Sequence, residues 1–114
     1  MGSAAKLPPK IPVLHVYYRL DGKKKFSDNT CGLTTVRGRS KSIEIADTQD
    51  EPAIWSATFW HEWFHAAFNE LGHVEDYNSE AKVEGLAHAM MSMLRDPHGR
   101  QMLRLMLKGI PEMS

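Results

Sequence analysis

Phe59-Trp60-His61-Glu62-Trp63-Phe64-His65-Ala66 is the stretch on which the reading of this chain turns. On an α-helix, residues four apart share a face, so His61 and His65 can aim two imidazoles at one ion. Glu62 lies about a hundred degrees round from His61, within reach of a water on that ion. This is the mechanical content of the H-E-x-x-H pattern: two metal ligands and a base on a single turn. The surroundings favour a helix. Pro52 suits a first turn, nothing between there and Leu71 breaks the helix, and Gly72 stands where a C-terminal glycine belongs. Thr48 or Asp50 is expected to cap it. Ile54, Trp55, Phe59, Phe64 and Phe68 are expected to supply its apolar surface.

Upstream of this helix the sequence reads as strands. Residues 1–11, with Pro8 and Pro9, form an extended N-terminal tail, and residues 12–114 are expected to be one domain. Val13–Tyr18 is dense in β-branched and aromatic residues and predicts a strand. Asp21-Gly22, followed by lysines, predicts a polar turn. Cys31–Val36 predicts a second strand. Ser42-Ile43-Glu44-Ile45-Ala46 alternates apolar and polar, which predicts a third with one wet face, at a sheet edge. Downstream, a polar loop over 72–78 leads to Ser79, a cap for a second helix running to about Arg95. Its apolar stripe is Val83, Leu86, Met90, Met93 and Leu94. Asp96-Pro97 ends it, and a short third helix covers about 100–108. The fold class is therefore α+β: a small sheet of about three strands beside the helix that carries the H-E-x-x-H pattern, with two further helices.

Two histidines on one helix are not a complete metal site. Zinc takes at least one more protein ligand and, in catalytic sites, keeps one position open. The second helix offers Glu80, Glu84 and His88 on one face; the loop offers His73, Glu75 and Asp76. Glu84 sits within the apolar rows of Val83 and Ala87 and is the favoured third ligand. Glu80, nearer the helix end and solvent, is a further candidate, as are His73, His88 and Asp76. Glu62 is the expected general base. An oxyanion partner is sought among Tyr77, His73 and His88, with Tyr17 and Tyr18 as weaker candidates.

The bulk numbers narrow the choice of function. The chain has 114 residues with 14 basic and 14 acidic, so its formal charge is zero with histidine neutral. Such a balance gives no electrostatic reason to expect a nucleic-acid or membrane partner. Arg100, Arg104 and Lys108, with Arg95 before them, read as a solvated helix face rather than a nucleic-acid site. Cys31 is the one cysteine in the sequence, which excludes an intrachain disulfide and a Cys-based zinc knuckle. It is expected to be a small buried residue beside Gly32. No run approaches the roughly 20 apolar residues of a membrane span. The N-terminal residues do not read as a signal peptide, and a cytoplasmic setting is the expectation.

Together these residues resemble a family. The sequence from about 30 to 97 is similar to the small zincin-like metallopeptidases of bacteriophages and mobile elements, related to the ImmA/IrrE group. The likeness lies in the Gly32-containing strand, Ile43-Glu44-Ile45, the helix from Phe59 to Ala66, Ser79-Glu80-Ala81-Lys82-Val83-Glu84-Gly85-Leu86-Ala87, and Leu94-Arg95-Asp96. It implies that Glu84 completes a two-His, one-Glu zinc site, and that a short sheet packs beside the active-site helix. It also implies peptide-bond hydrolysis on a protein or peptide, such as a repressor or host factor. Trp60 and Phe64 flank the motif with bulky rings, and His88 follows Ala87 where the wider group often has Asn. The competing expectation is a catalytically inactive zinc-binding protein that acts by binding a host or regulatory protein.

Overall fold

The computed structural model describes residues 7–23, 31–37, 40–46 and 51–112. Among the described residues it is an α+β fold, a four-stranded mixed sheet with four helices. The strands are β1 (Lys10–Val13), β2 (Val16–Lys23), β3 (Gly32–Thr35) and β4 (Ser42–Ala46), in the spatial order β1-β2-β4-β3. β2 and β4 run parallel; β1 with β2 and β3 with β4 run antiparallel. The helices are α1 (Pro52–Glu70), α2 (Val74–Tyr77), α3 (Glu80–Arg95) and α4 (Pro97–Gly109).

The sheet has one strand more than expected, because the stretch Val13–Tyr18 is not continuous. It folds back at Leu14-His15, between the paired residues Val13 and Val16. A two-residue hairpin loop needs positive φ to match the strand twist, and Leu14 supplies it at φ 57° despite its side chain. No glycine or asparagine marks this turn, so turn chemistry could not locate it. Asp21-Gly22, which does carry a turn signal, lies inside β2, paired with Glu44 and Ile45 of β4. There the ladder to β4 outweighs the local turn preference. β4 is correspondingly not an edge strand: it lies between β2 and β3, with Ile43 and Ile45 fully buried. The last residues of the extended lead-in, Lys10 and Ile11, pair with Arg19 and Tyr18.

The core is the contact between this sheet and α1. Val13, Tyr18, Leu20, Ile43 and Ile45 close on Ala66 and Ala67. The two alanines let the helix approach closely, while Trp55, Phe59 and Trp63 cover the flank. Trp63 donates its indole N–H to the carbonyl of Pro12 at 3.0 Å, tying α1 to β1. Ile54, by contrast, is exposed. At the far end of α1, Glu70 accepts hydrogen bonds from Tyr18 (2.6 Å), Lys41 (2.7 Å) and Asn69 (3.2 Å).

The helix ends follow local chemistry. Thr48 and Asp50, the expected caps of α1, lie outside the described residues. Glu51 occupies the cap position without a side-chain bond, and Pro52 opens the helix. Gly72 turns the chain out of α1 at φ +78°. The polar loop after it contains the single turn α2. Ser79 caps α3 by accepting from the backbone N–H of Lys82. Asp96 ends α3 and caps α4, accepting from His98 and Gly99, so α4 begins at Pro97 rather than near residue 100. α3 buries Val83, Ala87 and Met91, while Leu86 and Met93 are exposed; the buried row is rotated from the expected stripe. Among the described residues, no helix is long and apolar enough to cross a membrane.

Candidate metal centre

His61 and His65 sit one turn apart on α1, on the side turned to α3. Their Nε2 atoms are 3.2 Å apart. Each ring is held by its other nitrogen. His65 Nδ1 lies 2.7 Å from the carbonyl oxygen of Tyr77, and His61 Nδ1 lies 2.8 Å from Oε2 of Glu84. A carbonyl only accepts, so neutral His65 carries its proton on Nδ1. His61 meets a carboxylate at each nitrogen and, with a cation held on the Nε2 side, would carry its proton on Nδ1 as well. Both Nε2 lone pairs then point at the same place. Glu80 closes that place from α3: its Oε2 is 2.9 Å from His61 Nε2 and its Oε1 3.0 Å from His65 Nε2.

Two lone pairs and a carboxylate facing one another repel unless a metal ion or a proton on an Nε2 lies among them. The spacing suits a metal ion. Donors held about 2.0–2.1 Å from a tetrahedral ion stand roughly 3.3 Å from each other, against 3.2 Å between the two Nε2 atoms and 2.9 and 3.0 Å from them to the two Glu80 oxygens. His61, His65 and Glu80 thus form a group that could hold a metal ion. The histidines are mostly enclosed, with side chains 18% and 11% exposed, whereas Glu80 is 72% exposed, so the centre opens to solvent on the α3 side.

The third position is where the structure departs from the sequence reading. Glu84, the expected ligand, does not join this group; it grips the back of His61 and is itself met by His88, whose Nε2 is 3.0 Å from Glu84 Oε1. The reason is the direction of α3. Glu80 meets both His65 and His61, and Glu84, one turn further along α3, meets His61, so α3 returns opposite to α1. The short connection after Gly72 sets the first turn of α3 against the second histidine. Glu84, a turn further on, passes the Nε2 side of His61 and reaches Nδ1. Glu80 and Glu84 are both exposed, and neither belongs to the buried row of α3.

Asp76 and His73 are engaged away from the histidine pair. Asp76 pairs with Lys82, whose hydrogen bond holds its carboxyl below the usual aspartate range. His73 stacks on Phe68 and stands 3.6 Å from Asp76. Tyr18 is buried on Glu70, and Tyr17 is exposed beneath the Lys10 ammonium. Of the oxyanion candidates, Tyr77 is the one that lines the groove beside the histidines, its ring packed at 5.4 Å on that of His65.

That groove, about 670 Å³, runs between α1, α3 and the edge strand β3. Glu62 lines it and is only 8% exposed. Its Oε1 accepts a 2.7 Å hydrogen bond from Thr34 on β3. Cys31, expected to be buried, is exposed and lines the same groove. Sequence reasoning did not anticipate the contact of β3 with Glu62. The available signal was Gly32, since a glycine within a strand often marks close approach of another element.

No protein family, curated protein or solved structure matches this chain.

Proposed function

We propose that this domain is a zinc-dependent metallopeptidase-like protein that hydrolyses a peptide bond, with His61, His65 and Glu80 as metal ligands and Glu62 as general base. The observation that carries this reading is the commitment of both Nδ1 atoms. With those nitrogens hydrogen-bonded, the two Nε2 lone pairs and Glu80 are preorganised for one cation. Two imidazoles and a carboxylate are a donor set that zinc accepts readily. When bound there, zinc would lower the pKa of a water molecule and polarise a carbonyl oxygen.

The remaining work falls to the protein. Glu62, beside His61 and facing the groove, is placed to take a proton during attack on a carbonyl. Glu84 and the Tyr77 carbonyl orient the two ligands and fix their tautomers. His88 is engaged by Glu84 and does not fill a fourth ligand place, which favours an open position and hence catalysis. The substrate in this reading is a protein or peptide laid in the open groove, a repressor or host factor being the class that the family resemblance implies. A cytoplasmic setting belongs to the same reading.

The test is hydrolysis of a mixed quenched-fluorescent peptide library by zinc-loaded protein. Cleavage should stop on chelation and return with about one equivalent of zinc. Tight zinc binding without cleavage of any library member would instead support an inactive zinc-binding protein that acts through a partner.

A further inference from the structure

Two residues of β3 press on the proposed base from the sheet side. Gly32 and Thr34 are two apart on a strand and so face the same way. The Thr34 hydroxyl donates to Glu62, with the carboxylate oxygen at 2.7 Å and the backbone carbonyl of Glu62 at 3.0 Å. A hydroxyl has one proton, and the shorter, charge-assisted contact is the stronger. At Gly32, a Cβ would stand 2.8 Å from Glu62 Cγ and 2.8 Å from Thr58 Cγ2. The glycine therefore leaves the space through which the Glu62 stem runs.

We propose that Thr34 is a positioning residue for Glu62, and that Gly32 supplies the clearance this position requires. The inference rests on the reading of Glu62 as general base. By taking Oε1, Thr34 leaves Oε2 as the oxygen that handles a proton in the groove. A nearly buried carboxylate without such a partner would be costly to keep charged, and its side chain would be free to adopt other rotamers. Strand β3 would thus serve the reaction indirectly, by holding the base on its helix in one orientation.

The probe is acetohydroxamic acid binding to the zinc-loaded protein, followed by calorimetry. A hydroxamate ligates zinc and shares its proton with a neighbouring base, so its affinity reads the placement of Glu62 without requiring turnover. Thr34→Val keeps the shape and strand preference but removes the hydroxyl. It should weaken acetohydroxamate by about tenfold, the low end for one hydrogen bond to a charged group, with zinc affinity unchanged and the melting temperature lowered by the lost bond to a nearly buried carboxylate. Thr34→Ser should restore binding to within about twofold of wild type, because the hydroxyl is back. Gly32→Ala should weaken it as well, by displacing the Glu62 stem.

Wild-type affinity in Thr34→Val, alongside weak binding in Glu62→Gln, would overturn the positioning role while leaving Glu62 as the base. Wild-type affinity in Glu62→Gln, or no acetohydroxamate binding to the zinc-loaded wild type, would overturn the underlying reading and this inference with it. Should Thr34→Val fail to fold, Thr34→Ala carries the same comparison against Thr34→Ser.

Discussion

Glu84 Oε2 lies 2.8 Å from Nδ1 of His61, on the opposite ring nitrogen from the one that meets His65 and Glu80. Two glutamates on one face of α3 therefore hold one histidine from its two sides, one as candidate ligand and one as orienter. The roles predict different losses. Glu84→Ala should weaken zinc by about 10–100-fold, as removal of a ligand's hydrogen-bond partner does. Glu80→Ala should weaken it more, because a donor is lost from the metal itself. Competition against a chromogenic chelator measures both, and a larger loss in Glu84→Ala would reverse the assignment.

Glu62→Gln should retain zinc with wild-type affinity, since Glu62 sits against Thr34 and outside the ligand group. Any peptidase activity should fall by roughly 10²–10⁴-fold, the usual contribution of a general base. The variant needs metal analysis and a rate measurement on the same preparation. Loss of zinc would make Glu62 a ligand; normal cleavage would remove it from the chemistry.

Away from the site, Glu70 contributes to stability in a pH-dependent way. Burial alone would raise its carboxyl, but the hydrogen bonds from Lys41, Tyr18 and Asn69 outweigh burial and hold it below the usual glutamate range. A carboxylate depressed in the folded state contributes stability that is present above its unfolded pKa, about 4.3, and is lost as pH falls through the lower folded value. Glu70→Gln should therefore cost about 1–3 kcal/mol at neutral pH. The gap between variant and wild type should close as the pH is lowered through and below that range. Urea unfolding at a series of pH values follows the two proteins, and a gap that widened on acidification would contradict the assignment.

Two glycines in the C-terminal half should respond to alanine with opposite signs. Gly85, inside α3, has nothing within 4 Å of a new Cβ. Gly85→Ala should stabilise by about 0.5–1 kcal/mol through helix propensity. Gly99 packs where α4 turns back on α3, and a Cβ there would lie 2.3 Å from the backbone carbonyl oxygen of Met93. Backbone cannot yield as a side chain can, so Gly99→Ala should destabilise by about 1–3 kcal/mol or more. Thermal melting distinguishes the two.

The fold was legible where one signal dominated. The unbroken run from Pro52 to Leu71, with Gly72 after it, gave α1, and Ser79 and Asp96-Pro97 marked both ends of α3. The alternation of Ile43 and Ile45 gave the inward face of β4. The hairpin at Leu14-His15 was not legible, because a leucine at positive φ is imposed by pairing on either side rather than by its own preference. The position of β4 inside the sheet depends on a parallel pairing with β2, a long-range contact that local pattern does not encode. The shared face of His61 and His65 on α1 was readable from spacing alone. That Glu80 rather than Glu84 stands against both Nε2 atoms was not, since a four-residue difference on α3 is one helical turn, and only the direction and offset of the packed helices decide it. Thr34 lay further still from any local signal, on a strand that meets Glu62 only in the folded chain.

An equilibrium zinc titration of the purified, chelator-treated protein, with His65→Ala as its control, tests the central claim most directly. The arrangement of His61, His65 and Glu80 predicts tight uptake of about one zinc ion per chain, largely lost in the control. No saturable uptake by the wild type, or equal uptake by His65→Ala, would contradict the metal centre.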